Sequence, residues 1–386
     1  MKVKHNIERL KYLLKLYKME LSDFLMHISE GLVNPIKEED IFAGEIKVSH
    51  LKRIDKLFDK GIHYYLDPKV PIVTKSSSIF FRKDVFSSEL NIGAKKIVRK
   101  FEELKHSLSG IAKLAELDLG RTIPIYKTSN SAKAVASEIR NLLYPKEYKP
   151  YLRDFLKSLI HTFAVNNILV FEFVETWNKK EKANINGFYL SPNVIVLKRQ
   201  QEFFRREIFT LAHELGHYLL DKEEIEEVKY NITTFDNLTS IERWCNEFAY
   251  YFLAGRYADV LDKLETASAS NDYHTDIIEK VSSKTHLSTL SLYTKLLIDK
   301  RLSYSNYKLI KDEQELKYKQ RKKEQERQKL LDKETGKNSN GRAPKPINSP
   351  LLISTIQTAY TEGILNEYEV CKRLNIDSSK FDSLIE

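Results

Sequence analysis

Length, composition and charge limit what the chain can be: 386 residues, 42% of them hydrophobic, can form two or three domains with buried cores, which excludes a disordered protein. Lys and Arg number 63 against 54 Asp and Glu, and this net charge of +9 permits contact with nucleic acid without proving it. Two cysteines are too few for a disulfide framework, and the lack of a long apolar run or a signal peptide predicts a cytoplasmic protein with no membrane partner.

The first 68 residues are predicted to form a module of short helices, because apolar residues recur at helical spacing in 7–17, 21–28 and 49–58. This order resembles a degenerate helix-turn-helix of the phage-repressor type. Residues 31–40, where a recognition helix should begin, contain a proline and an acidic cluster that suit neither a helix start nor a phosphate-facing surface. DNA binding by this module and a role in protein docking or packing are therefore both open.

Residues 69–118 are predicted to be a linker followed by a connecting helix, with a docking segment at 79–83 and helical spacing from 92 to 117. The predicted catalytic core covers residues 119–265. Its pattern indicates a mostly helical unit with a small β-sheet, and the elements expected are helices at 132–143 and 152–163 and strands at 168–174, 187–189 and 193–197.

The most specific chemical signal lies in Phe209–Leu220, where His213 and His217 are four residues apart and Glu214 follows the first. On a helix the two imidazoles share a face and can bind one metal ion. This is the His-Glu-x-x-His pattern of zinc hydrolases, in which the glutamate takes a proton from the attacking water. Such an apolar helix seldom buries two histidines and a glutamate without a use for them.

A zinc site needs a third protein ligand, and Glu242 in the next predicted helix is the preferred candidate. The pattern Thr239-x-x-Glu242 also reads as a capping box, in which the carboxylate would bind a backbone N–H instead of a metal. Glu247 and Cys245 are rival ligands on the same helix. The residues alone leave these alternatives open.

Three blocks in order, 185–197, 205–220 and 241–253, resemble the ImmA/IrrE metallopeptidases. The resemblance implies a zincin-like fold and a zinc endopeptidase whose third ligand is the residue matching Glu242. It also implies that the protein substrate is a transcriptional repressor of a prophage, a mobile element or a stress regulon. Mn²⁺ or Fe²⁺ could occupy such a nitrogen and oxygen site in place of Zn²⁺.

Other features of the core are assigned more loosely. A segment near 193–198 is predicted to be an edge strand that pairs with an extended substrate, with Asn193, Val194 and Ile195 as substrate-binding residues. His274 and His286 are candidates for stabilising the oxyanion, although no spacing rule supports either. The acidic stretch 221–227 is predicted to be a solvated loop, with attraction of a basic peptide as the alternative.

After the core, residues 266–305 are predicted to be a second helix-turn-helix-like segment, 306–350 a charged helix and flexible linker, and 351–386 a small helical tail. The fold predicted for the whole chain is α+β, mostly helical, with a zincin-like core flanked by helical modules. The alternative function is a DNA-associated regulator or toxin-antitoxin component with little or no proteolytic turnover.

Overall fold

The computed structural model describes residues 1–71, 78–79, 90–175, 182–199, 204–225, 238–334 and 346–385. The chain divides into two compact units, one of Met1–Leu104 with Lys180–Asn184 and one of Lys105–Lys179 with Ile185–Glu386. The predicted mostly helical α+β architecture is confirmed, and the finer domain boundaries stay predictions. Within the described residues, no helix combines the length and apolarity that crossing a membrane requires.

The first unit packs short helices around its own apolar core, and the three helices predicted for it are confirmed. Two strands that the sequence did not predict pair antiparallel, with Lys2 opposite Lys47. The short helix in the place of a recognition helix has three acidic residues in its first turn, so the helix-turn-helix stays a prediction. The elements are β1 (Lys2–Lys4), α1 (Ile7–Leu16), α2 (Leu21–Ser29), α3 (Glu38–Phe42), β2 (Glu45–Lys47), α4 (Val48–Phe58) and α5 (Ile62–Leu66).

The predicted connecting helix is present as α6 (Ile92–Leu114), and the division between the two units falls within it. Most of the docking segment predicted at 79–83 lies outside the described residues.

A three-stranded sheet lies in the second unit, formed by β3 (Leu169–Val174), β4 (Gly187–Leu190) and β5 (Val194–Arg199). The strand order is β3-β5-β4, with β5 parallel to β3 and antiparallel to β4. Because β5 has a neighbour on both sides and is apolar on both faces, it is the central strand.

The prediction of an edge strand at 193–198 is therefore wrong. The Asn193 side chain donates hydrogen bonds to the backbone carbonyls of Leu119 (2.7 Å) and Asn167 (2.6 Å). Val194 and Ile195 are 2% and 0% exposed. These three residues, predicted to bind substrate, belong instead to the interior of the sheet, because both hydrogen-bonding sides of β5 are used by β3 and β4.

The helices of the core are α7 (Ala132–Leu143), α8 (Leu152–Val165), α9 (Phe204–Leu220), α10 (Ser240–Ala254) and α11 (Ala258–Asp262). Helix α9 packs against α10 and also against β4 and β5. Both α7 and α10 begin at a capping hydroxyl, Ser131 for α7 and Thr239 for α10. This arrangement places α9 in the middle of the unit, with one face on the sheet and another on α10.

The helices predicted after the core are present, while the helix-turn-helix likeness of 266–305 stays a prediction. Residues 335–345 of the predicted linker lie outside the described part of the chain. The residues that follow are attached to the sheet, because the backbone N–H groups of Ile347 and Asn348 donate to the Glu172 carboxylate, each at 2.7 Å. These helices are α12 (Thr275–Thr285), α13 (Thr289–Ile298), α14 (Tyr304–Glu334), α15 (Pro350–Thr361), α16 (Glu367–Leu374) and α17 (Asp382–Ile385).

A buried ion-pair network connects the sheet to the start of α9. Arg199 on β5 binds Glu172 on β3 through Nη1 and Glu207 on α9 through Nε, the latter at 2.9 Å. The three side chains are only 1–2% exposed. Burial of one cation between two carboxylates makes each partner dependent on the others.

Candidate metal centre

Helix α9 brings His213 and His217 together as their spacing predicts. Their Nε2 atoms lie 3.1 Å apart, and their ring centroids are 4.9 Å apart. The His217 side chain is 2% exposed and that of His213 is 15% exposed. Two imidazole nitrogens therefore converge at one edge of the helix.

Helix α10 supplies a carboxylate to the same point. The oxygens of Glu242 lie 3.1 Å from His213 Nε2 and 3.1 Å from His217 Nε2. Thr239 caps the helix by accepting a hydrogen bond from the backbone N–H of Glu242 at 3.2 Å. Half of the capping box is thus present, but the Glu242 carboxylate faces the imidazoles.

The three side chains fit a metal ion. Their ligand atoms all lie within 4.8 Å of one another, and among the described residues no other such group of His, Cys, Asp or Glu occurs. Two imidazole nitrogens and one carboxylate oxygen form the donor set of many catalytic zinc sites. The rival ligands are not part of the group, since Glu247 is exposed and Cys245 packs against the backbone of Gly216.

The charge state of Glu242 suits a ligand. Burial opposes ionisation of this carboxyl, but hydrogen bonds and charges from His213 and His217 outweigh it and hold the pKa of Glu242 well below its usual range. A buried carboxylate that stays ionised attracts a cation, so Glu242 is suited to bind a metal ion.

Glu214 is placed differently from the three ligands. It is 6% exposed, and its Oε2 atom has no hydrogen-bond partner among the described residues. Burial raises the pKa of the Glu214 carboxyl to about 7, His217 and His213 work against the rise, and the Glu242 carboxylate adds to it. A buried carboxyl with a pKa near neutrality and an unused oxygen is suited to accepting and returning a proton.

The sheet approaches Glu214 closely through a glycine. A Cβ atom at Gly187 on β4 would lie 2.8 Å from Thr210 Cγ2 and 3.2 Å from Glu214 Cγ. Only glycine lets β4 lie this near to α9. The strand beside the site is consequently β4, at the outside of the described sheet, and not β5.

A second glycine sets the distance between the two helices of the site. A Cβ atom at Gly216 would lie 3.1 Å from Cα, Cβ and Sγ of Cys245, which is tighter than most real contacts of a Cβ atom. Since Gly216 precedes the ligand His217 and Cys245 follows Glu242 by three residues, this contact determines how far Glu242 can reach.

We expect Gly216→Ala to force α10 outward by a few tenths of an ångström and to destabilise the fold by about 1–3 kcal/mol. Metal affinity should fall as well, because Glu242 moves with α10. Gly110→Ala is the matched control: Gly110 also lies in a helix, but a Cβ atom there meets no atom within 4 Å, so that variant should be neutral or slightly more stable. Denaturant unfolding and metal titration measure both effects, and equal behaviour of the two variants would contradict the expectation.

One residue at the site was missed by the sequence reasoning. Asn246 accepts a hydrogen bond through Oδ1 from Nδ1 of His213, with the two atoms 3.1 Å apart. It follows Glu242 by four residues on α10, so helical spacing alone would have placed both on one face. The four-residue spacing from Glu242 is the feature of the sequence from which Asn246 could have been predicted.

The two histidines considered for the oxyanion are engaged elsewhere. His274 Nε2 lies 3.1 Å from the backbone oxygen of Glu265, and the His286 ring packs on Phe155 with centroids 4.1 Å apart. Neither belongs to the group of three ligand residues. In the acidic stretch 221–227, Asp221 accepts a hydrogen bond from the Tyr189 hydroxyl at 2.7 Å, and Glu223 accepts one from the Ser191 backbone N–H at 2.9 Å. Residues 226–237 lie outside the described residues, so attraction of a basic peptide stays a prediction.

The burial of His286 predicts a pH-dependent stability. Burial lowers the pKa of His286 to about 4, and the positive charge of Arg205 acts in the same direction. The unfolded chain therefore binds a proton between about pH 6.5 and 4 that the folded chain does not, so stability is complete above this window and falls by about 2–3 kcal/mol through it. His286→Asn, which tolerates the left-handed backbone there (φ 60°), should show a smaller acid-induced loss. Equal pH slopes for both proteins in urea denaturation would refute this.

The fold and this site have the arrangement typical of a zincin-like metallopeptidase domain: a His-Glu-x-x-His helix packed beside a small sheet, with a glutamate from the next helix that could bind the same metal ion. Residues 167–265 match the family model Peptidase_M78, described as the IrrE N-terminal-like domain. The chain thus contains a domain of the ImmA/IrrE family, which confirms the resemblance seen in the sequence and supports a metallopeptidase-type function. No curated protein and no solved structure matches the chain.

Proposed function

We propose that the protein is a zinc-dependent endopeptidase. The observation that carries the proposal is the convergence of His213, His217 and Glu242 within hydrogen-bond distance of one another, with the buried carboxyl of Glu214 beside them. The family match supports the peptidase class, and the nitrogen and oxygen donor set favours zinc.

Each side chain has a separate task in this proposal. His213, His217 and Glu242 hold the metal, which when bound polarises the scissile carbonyl and lowers the pKa of water. Glu214 accepts the proton of the attacking water through its unused oxygen and then delivers it to the amide nitrogen of the leaving peptide. One carboxyl can perform both steps, because it is ionised when it accepts the proton and protonated when it donates it.

The proposed substrate is a transcriptional repressor, and this part rests on the family resemblance alone. The cellular test compares new protein N-termini in cells that express the wild type and in cells that express Glu214→Gln. We expect a small set of cleaved proteins, including a DNA-binding regulator, in wild-type cells only. The same new N-termini in both strains would contradict a peptidase that depends on Glu214.

A further inference from the structure

We infer that Asn246 is a positioning residue for the metal centre, which fixes the ring orientation and the tautomer of His213; the inference rests on the proposed metal-binding function. The basis is the hydrogen bond from Nδ1 of His213 to Oδ1 of Asn246, 3.1 Å in length. The other ring nitrogen, Nε2, is the one that faces Glu242 and His217.

The hydrogen bond to Nδ1 affects which nitrogen of the His213 ring is available to a metal ion. In a neutral ring one nitrogen carries the proton and the other offers a lone pair. A carbonyl oxygen accepting from Nδ1–H keeps the proton on that side and leaves the Nε2 lone pair for the cation. With a metal ion bound, Asn246 would therefore hold the proton of His213 on Nδ1, away from the ligand atom Nε2.

Helix α10 holds Asn246 firmly in place. Its neighbour Cys245 is fully buried against Gly216, and Trp244 stacks on Phe248 with ring centroids 5.5 Å apart. One turn before Asn246, the same helix presents Glu242. A single rigid helix thus carries both a ligand and the group that orients another ligand.

The two histidines depend on Asn246 to different degrees. His217 is 1% exposed, so packing fixes its ring, and its Nδ1 has no hydrogen-bond partner among the described residues. The His213 side chain is 15% exposed and is less confined by its neighbours. Loss of the Asn246 carbonyl should consequently loosen the ring of His213 more than that of His217.

The test measures Zn²⁺ affinity of the full-length protein by competition with a chromophoric chelator, and the ligand field by the visible absorption of the Co²⁺-substituted protein. Asn246→Leu, which has nearly the same size but no acceptor, should bind Zn²⁺ about 10- to 100-fold more weakly and show an altered Co²⁺ spectrum. Asn246→Asp keeps the acceptor and should stay within about threefold of the wild type. Glu247→Gln, one residue away and exposed, is the matched control and should behave as the wild type.

A readout that needs no metal comes from ¹⁵N NMR of the metal-free protein. In the wild type the Nδ1–H proton of His213 should be hydrogen-bonded and protected from exchange with water, and in Asn246→Leu it should exchange rapidly. If Asn246→Leu fails to fold, Asn246→Asp and Asn246→Gln are compared instead. The longer Gln side chain displaces the carbonyl and should weaken Zn²⁺ binding, whereas Asp should not. Wild-type affinity and an unchanged Nδ1–H signal of His213 in Asn246→Leu would overturn the inference. A wild-type protein that binds no metal would overturn the proposed function itself.

Discussion

Glu214→Gln is expected to lower the rate of peptide-bond cleavage by about 10²- to 10⁴-fold while the metal remains bound, because the substitution removes the group that moves the proton and none of the three ligands. The fold should not suffer. Glu214 is buried, and burial penalises its charged form, so a neutral amide of the same shape relieves a desolvation cost. We expect unchanged or slightly higher stability together with lost activity.

The measurement is the initial rate of cleavage of a substrate identified in cells, with metal content and unfolding recorded on the same samples. Glu247→Gln is the control, since it removes an exposed carboxylate from α10. It should cleave at the wild-type rate. A Glu214→Gln protein that cleaves as fast as this control would show that another group acts as the base.

Arg199→Met should destabilise the second unit by about 3–5 kcal/mol, the largest stability effect that we expect from one substitution. Arg199 is the cation between Glu172 and Glu207, and all three side chains are almost fully buried. Removing it takes the shared cation away from two buried carboxylates. Glu207 lies in the first turn of α9, and Glu172 also accepts hydrogen bonds from the backbone N–H groups of residues 347 and 348. The loss of Arg199 should therefore weaken the attachment of α9 to the sheet and also that of residues 347 and 348.

Urea denaturation followed by tryptophan fluorescence measures this effect. A Trp177→Phe background leaves Trp244, whose Nε1–H donates to Asn130 O in the core, as the only reporter. Replacing the carboxylates as well, with Glu172→Gln and Glu207→Gln added to Arg199→Met, should recover part of the loss. A loss below about 1 kcal/mol for Arg199→Met alone would contradict the account.

The metal ligands could be predicted from the sequence because their geometry is local. Four residues separate His213 from His217, and helical periodicity alone then puts them on one face. The residues alone did not settle the role of Glu242, because the pattern Thr239-x-x-Glu242 equally allowed a capping box. The structure shows why both readings had merit: Thr239 does cap the helix, and the carboxylate is still available to the imidazoles.

The order of the strands could not be predicted in the same way. Strand β5 is a short apolar run, and such a run does not reveal whether zero, one or two neighbours will pair with it. The prediction of an edge at 193–198 failed on this point. Arg199 and Glu207 were likewise indistinguishable from surface charges in the sequence, because their burial depends on a partner, Glu172, that lies 27 residues before Arg199.

The most direct test of the central claim is the metal content of the purified protein and of single-ligand variants, measured by elemental analysis after removal of loosely bound ions. The wild type, Glu214→Gln and Glu247→Gln should each retain about one zinc per chain. His213→Ala, His217→Ala and Glu242→Ala should each retain little or none, because two remaining ligands cannot hold the ion tightly. Full metal occupancy in Glu242→Ala, or none in the wild type, would contradict a site built from these three side chains.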